Sequence, residues 1–148
     1  MNPLELMAGE MEWAARNVAG NLDFIPDDKL NWKPAPTANS VLEIINHVAN
    51  PIYGMAAALD GQPMKPQFTP ATNREEAKQL VLKGTEAYVA KLRSLSPQDL
   101  ENKTVTLPFD EIPAMVAAGI PMVDLIHHHG QIAYIQTLLG DTESHLQM

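Results

Sequence analysis

Five histidines and no cysteine set the limits of the metal or acid–base chemistry open to this chain. Three of them are consecutive, in Asp124-Leu125-Ile126-His127-His128-His129-Gly130-Gln131-Ile132; His47 lies far upstream and His145 in the C-terminal tail. Imidazole is the commonest protein ligand for transition metals, and without thiolates any bound ion is held by nitrogen and oxygen. On a helix, residues four apart share one face with Cβ atoms roughly 5–6 Å apart, so two such side chains can chelate one ion. The spacing offers Asp124 with His128, Leu125 with His129, and His127 with Gln131. Only the first joins two good ligands. His127 and His129 point about 100° to either side of His128 and cannot both share its site. They are expected at solvated or interface positions, with one of them available to support a ligand from behind. His47, from another helix, is the candidate third ligand. Two histidines and one carboxylate leave positions open for water or substrate, the layout of a reactive site. Competing roles exist: His128 as a hydrogen-bonded core residue, and Asp124 as an acid favoured by the dipole of a first helical turn.

Helices must position these residues. Leu4, Met7, Met11, Ala14, Ala15 and Val18 recur at three and four residues and predict a first helix over Pro3 to Val18, ended by Gly20-Asn21. Trp32, in a loop with Pro26, Pro34 and Pro36, is expected to anchor that loop to the core; its alternative role is the wall of a pocket. Ser40 and Glu43 form a capping box that opens a second helix. That helix buries Val41, Ile44, Ile45, Val48, Ile52, Met55 and Leu59 and ends at Asp60-Gly61. Pro51 cannot donate to the carbonyl of His47, so the helix should kink or loosen at the histidine. Thr72 and Glu75 read as a second capping box. The third helix follows, with a stripe of Ala77, Leu80, Val81, Ala87, Tyr88, Leu92 and Leu95, and stops at Ser96-Pro97.

Between Gln98 and Ile120 the pattern is weak, with a short extended piece at Thr104–Leu107 and a helical turn or two at Ile112–Ala118. The last helix is expected from near Pro121 to Gly140. Its stripe of Leu125, His128, Ile132, Ile135 and Leu139 turns His128 to the core. Asp141 to Met148 is expected to fray, with His145 solvated. Residues 1–148 therefore read as one all-α domain, a four-helix bundle with proline-rich connections.

Composition narrows the function. Of 148 residues, 45% are hydrophobic, enough for one core. The net charge is −8, from 10 Lys+Arg and 18 Asp+Glu, which argues against nucleic acid and anionic membrane surfaces. No apolar run approaches a bilayer span, and the N-terminus lacks the pattern of a secretion signal, so the expected location is cytoplasmic.

Three passages resemble the DinB/YfiT-like superfamily. Trp32-Lys33-Pro34 followed by Ser40 to Val48 is similar to its W-x-P loop and S-x-x-E-x-x-x-H helix. His128-His129-Gly130-Gln131-Ile132 is similar to its H-x-G-Q-I, and Tyr134 to Asp141 to the end of its fourth helix. The resemblance implies an up-down-down-up bundle and a single divalent metal on three histidines, often zinc or nickel. His47 and His128 match two of them; Asp124 stands where the third is expected. The implied site is a 2-His-1-carboxylate variant holding zinc or nickel first, with iron or manganese also accommodated. The resemblance further implies a metal-dependent transferase or hydrolase acting on a small molecule, such as an S-transferase using an external low-molecular-weight thiol, and a homodimer paired through helix faces. The alternative is a metal-free bundle that binds a small ligand or a protein. Glu43 is a candidate to support His47, in competition with its capping role.

Overall fold

The computed structural model describes Met1–Met148. Three long helices come first: α1 (Pro3–Leu22), α2 (Val41–Leu59) and α3 (Arg74–Arg93). A short α4 (Pro97–Leu100) leads into an antiparallel hairpin of β1 (Thr104–Thr106) and β2 (Glu111–Pro113), and α5 (Ala114–Leu138) closes the chain. Thr104 lies opposite Pro113, Val105 opposite Ile112 and Thr106 opposite Glu111. The fold is thus mostly helical, as expected, with one small hairpin added. No helix is long and apolar enough to cross a membrane.

Each helix start has a local cause. Asn2 accepts from the Leu4 amide ahead of Pro3. Ser40 and Glu43 form both halves of the expected capping box. The third helix departs from expectation by one residue: Asn73, not Thr72, is its cap and accepts from the Glu76 amide at 2.9 Å. Thr72 instead donates from its hydroxyl to Glu76. The predicted stripes of α1 and α2 are buried, apart from a half-buried Met7. On α3, Ala87 is exposed and Val89 fills the core in its place.

The long helices form a ring, in which α1 packs on α3 and α5, and α2 packs on α3 and α5. One hydrophobic cluster joins all four. Arg93, at the end of α3, meets Glu5 in the first turn of α1 and Glu12 at its middle, at 2.9 and 2.7 Å. Arg74, at the start of α3, donates to the carbonyls of Leu22 and Ile25. A Cβ at Gly84 would lie 2.5 Å from the ring of Tyr53, so glycine is what lets α3 approach α2 this closely.

The largest departure concerns α5. It begins at Ala114, not near Pro121, and runs through Gly119 and Pro121 to Leu138. An internal proline disturbs the local hydrogen-bond ladder. Next to the carbonyl that Pro121 leaves without its donor, the buried Tyr88 hydroxyl donates to the carbonyl of Ala118 at 2.8 Å. Burial pushes Tyr88 above the usual phenol range, so it remains a donor.

The tail also departs from expectation. Asn17 accepts from the Gln147 amide at 2.7 Å and donates to the Gln147 carbonyl at 3.1 Å, and the Trp13 indole donates to the same carbonyl at 2.7 Å. His145 is not solvated: its ring stacks on Phe24 with centroids 3.4 Å apart, and its Nε2 lies 2.8 Å from Asp141 Oδ2. Buried amides on α1 with few other partners are what hold this polar tail.

Candidate metal centre

The α2–α5 seam brings the three predicted residues together. His47, Asp124 and His128 each offer one ligand atom, and these atoms lie within 4.8 Å of one another. His47 Nε2 is 4.0 Å from Asp124 Oδ1, and His128 Nδ1 is 3.3 Å from the same oxygen. The two imidazole rings face each other across the seam with centroids 4.8 Å apart. Exposure is graded: the side chain of His47 is 55% exposed, Asp124 23% and His128 11%. The cluster thus has a buried floor and an open rim on the His47 side.

Local structure explains each orientation. Leu125, Ile132 and Ile135 are fully or nearly fully buried, and they carry His128 to the core as its stripe position requires. The carbonyl of Asp124 lies 2.8 Å from His128 Nδ1. A carbonyl only accepts, so Nδ1 carries the proton and the lone pair is on Nε2. A ligating histidine is typically fixed in this way by its other nitrogen. On α2, Pro51 leaves the His47 carbonyl without its helical donor, and the Asn50 side-chain amide supplies one at 3.0 Å. The loosening expected at His47 is therefore bridged by the next side chain.

Asp124 lies in the interior of α5, almost three turns from its start at Ala114. The first-turn dipole explanation for this acid is thereby corrected, because the dipole effect fades beyond the first turn. Its Oδ2 is buried with no hydrogen-bond partner, one of two such side-chain atoms in the protein, the other being Thr85 Oγ1. A buried unsatisfied carboxylate oxygen is costly unless something positive meets it. The donor set of two imidazoles and this carboxylate fits a divalent cation.

The neighbours of His128 part company. His127 is exposed, edge-on to His128, with its Nε2 3.2 Å from the Gln131 amide nitrogen. His129 is half-buried toward α1, its Nε2 3.0 Å from Asn21 Oδ1, and burial lowers its pKa below the usual histidine value. Sequence reasoning missed Asn21 and Gln136, the buried amides behind the seam; no spacing rule links residues so far apart in the chain. Glu43 is committed elsewhere. A hydrogen bond from Lys33, and then the Ser40 amide, hold it below the usual carboxylate range, with Lys33 Nζ at 2.8 Å. Trp32 packs half-buried against the core, as expected of an anchor.

With the geometry in view, likeness to known proteins adds the lineage. A model of the DinB superfamily matches residues 10–132. Among curated proteins, none matches the sequence. In fold, the chain is similar to a DinB-like protein from Bacillus subtilis, with a TM-score of 0.74 at 18% identity, covering 97% of this chain and 96% of that one. It is also similar to a conserved protein from Enterococcus faecalis, with a TM-score of 0.66 at 20% identity, covering 95% and 99%.

Proposed function

The chain belongs to the DinB superfamily, and from that premise we propose that it is a divalent-metal-dependent enzyme. His47, Asp124 and His128 would hold the ion, in a 2-His-1-carboxylate variant of a three-histidine site. The observation that carries this reading is the Asp124 carboxylate, whose Oδ1 lies 4.0 and 3.3 Å from the two imidazoles while its Oδ2 is buried without a hydrogen-bond partner. Zinc or nickel suits the nitrogen-rich donor set, and the carboxylate also accommodates iron or manganese. When bound, such an ion supplies Lewis acidity toward a water or an external thiol.

The chain's own residues do the rest. The Asp124 carbonyl fixes the His128 tautomer, Asn50 holds the backbone at His47, and the apolar floor of Leu125 and Ile132 excludes water below. The reaction class that the family resemblance suggests is a low-molecular-weight-thiol S-transferase, and its thiol would come from a small molecule, the chain having no cysteine. The cross-helix contacts support reading α1, α2, α3 and α5 as up, down, down and up, the course expected of the family. Arg93 meets Glu5 while Arg74 meets Leu22, and Tyr53 of α2 donates to Leu80 of α3 as Asn46 donates to Ala71.

The test is metal content by mass spectrometry on untagged protein, beside Asp124→Ala and His47→Ala. Near-stoichiometric metal in the wild type and its loss in both variants is the expected result. Equal, trace metal in all three would sink the reading. A second reading, a metal-free bundle that binds a small ligand or a protein, is favoured by the 2.8 Å bond of His128 Nδ1 to the Asp124 carbonyl, which occupies that nitrogen without an ion. It predicts thermal stability indifferent to chelator and to added zinc.

A further inference from the structure

Three of the six buried polar side chains, Asn17, Asn21 and Gln136, form one path from the C-terminal tail to the helix that carries the metal-ligand candidates. Asn17 and Gln136 share no bond, and the tail backbone joins them. Asn17 clamps the backbone of Gln147 in both directions. Further back along the tail, Gln136 Nε2 donates to the carbonyls of Asp141 and Glu143, at 3.2 and 2.9 Å. Gln136 Oε1 accepts from Asn21 Nδ2, which leaves Asn21 Oδ1 to face His129 Nε2. An amide oxygen only accepts, so His129 carries its proton on Nε2 and donates. His129 is the residue after His128.

The Gln136 donors and the Asn17 acceptor have partners only while the tail is docked; the Asn21–Gln136 and Asn21–His129 bonds and the Asn17 bond to the Trp13 carbonyl do not involve the tail. Removing the tail would leave the Gln136 donors and one side of Asn17 buried and unpaired, and a partly satisfied buried network is unfavourable. Stacking of His145 on Phe24 and its pairing with Asp141 close the tail from outside.

We propose that residues 141–148 act as a strap that fixes the rotation of α5 against α1 and thereby the aim of Asp124 and His128, so that tail docking and metal binding reinforce one another. Asn21 and Gln136 are the positioning residues through which the strap acts. The metal half of this inference rests on the proposed function; the positioning half does not. Coupling between two binding events is reciprocal, so one factor must appear in two measurements.

The experiment uses the full chain, as wild type, Asn17→Leu and His145→Ala, each first shown to be folded by circular dichroism. Asn17→Leu loosens the tail at a place remote from α5, and His145→Ala does so without touching the buried amides. Zinc is the metal probe. Its affinity, by calorimetry, should weaken about tenfold in Asn17→Leu and less in His145→Ala, within the usual range of coupling. Saturating zinc should slow hydrogen exchange at the wild-type Gln147 amide by the same factor. The His129 Nε2–H proton, seen by nuclear magnetic resonance in the metal-free wild type, should be lost to rapid exchange in Asn17→Leu. If zinc affinity in both variants stays within about twofold of wild type, or if exchange at Gln147 ignores zinc, the coupling is refuted. Should the wild type bind no zinc at all, the metal reading falls and the His129 proton decides alone. Its loss in Asn17→Leu then upholds the strap as a positioning device, and its persistence overturns it.

Discussion

The two faces of α5 handle buried polarity in opposite ways. Toward α2, Asp124 holds Oδ1 near two imidazoles and keeps Oδ2 buried with no hydrogen-bond partner, and one of those imidazoles is open to solvent. Toward α1, His129, Asn21 and Gln136 satisfy one another and the tail. Both faces carry histidine on the same helix, one residue apart. The difference teaches that a histidine's role is set by what the facing helix offers it. An amide that fills its donor makes it structural; a neighbouring unpaired acid leaves it available to a ligand.

The largest effect should come from breaking the satisfied face. Asn21→Leu orphans the half-buried His129 donor and the buried Gln136 acceptor, at about 1–3 kcal/mol each. Stability should fall by about 3 kcal/mol, and the Tm by about 2–4 °C for each kcal/mol. The contrast between the faces fails if Asn21→Leu unfolds within about 0.5 kcal/mol of wild type by denaturant titration.

Asp124→Ala should do the reverse. It removes an unpartnered buried oxygen, so the metal-free protein should be as stable as wild type or slightly more so. Zinc affinity should fall by more than about a hundredfold, because residues that only support metal ligands already account for 10–100-fold. At about 100 times the wild-type Kd, zinc should stabilise the wild type by about 2.7 kcal/mol and leave the variant unmoved. A marked loss of stability in metal-free Asp124→Ala would show that the acid is structural and that the two faces are alike.

How much of this contrast was legible in sequence follows from the range of each interaction. Local signals were readable: the Ser40–Glu43 capping box, the stripes of α1 and α2, the Asp124–His128 spacing and the core-facing slot of His128 are all settled within one or two helical turns. The opening of α5 was not, because Pro121 read as a helix start. The contact beside its interior position, a Tyr88 hydroxyl from α3 on the Ala118 carbonyl, comes from a distant helix and leaves no local pattern. The hairpin was half visible, as an extended Thr104–Leu107, since three-residue strands make little pattern. The docked tail and the Asn21–His129 bond were invisible for the same reason: their partners are separated by more than a hundred residues. The candidate ligands were found, and the network behind them was not.

A smaller effect separates the faces by pH in metal-free protein. Burial lowers the His129 pKa below its ordinary 6.5, so on acidification the unfolded chain takes up a proton before the folded one does. Stability linked to His129 is therefore complete above about pH 6.5 and declines as pH falls below it, until the folded-state pKa is reached. Thermal melts in chelator across that range should show the decline, and His129→Gln should flatten it. An equal slope in the variant would assign the titration to another group and remove this distinction between His129 and its neighbours.

The smallest effect tests whether the open face has any preorganisation of its own. Pro51 denies the His47 carbonyl its helical donor, and the Asn50 amide stands in for it. Asn50 is exposed, so Asn50→Ala should cost no more than about 1 kcal/mol of stability, the worth of one solvent-accessible hydrogen bond. Its effect on zinc should be a few-fold weakening, because only the backbone beneath one ligand is loosened. Pro51→Ala in the same background returns a backbone donor to that carbonyl and should restore the affinity. Rescue would mean that His47 is aimed by a satisfied carbonyl, whichever group satisfies it. Without rescue, the α2 face would owe its geometry to packing alone, and preorganisation by hydrogen bonding would belong only to the face that meets α1.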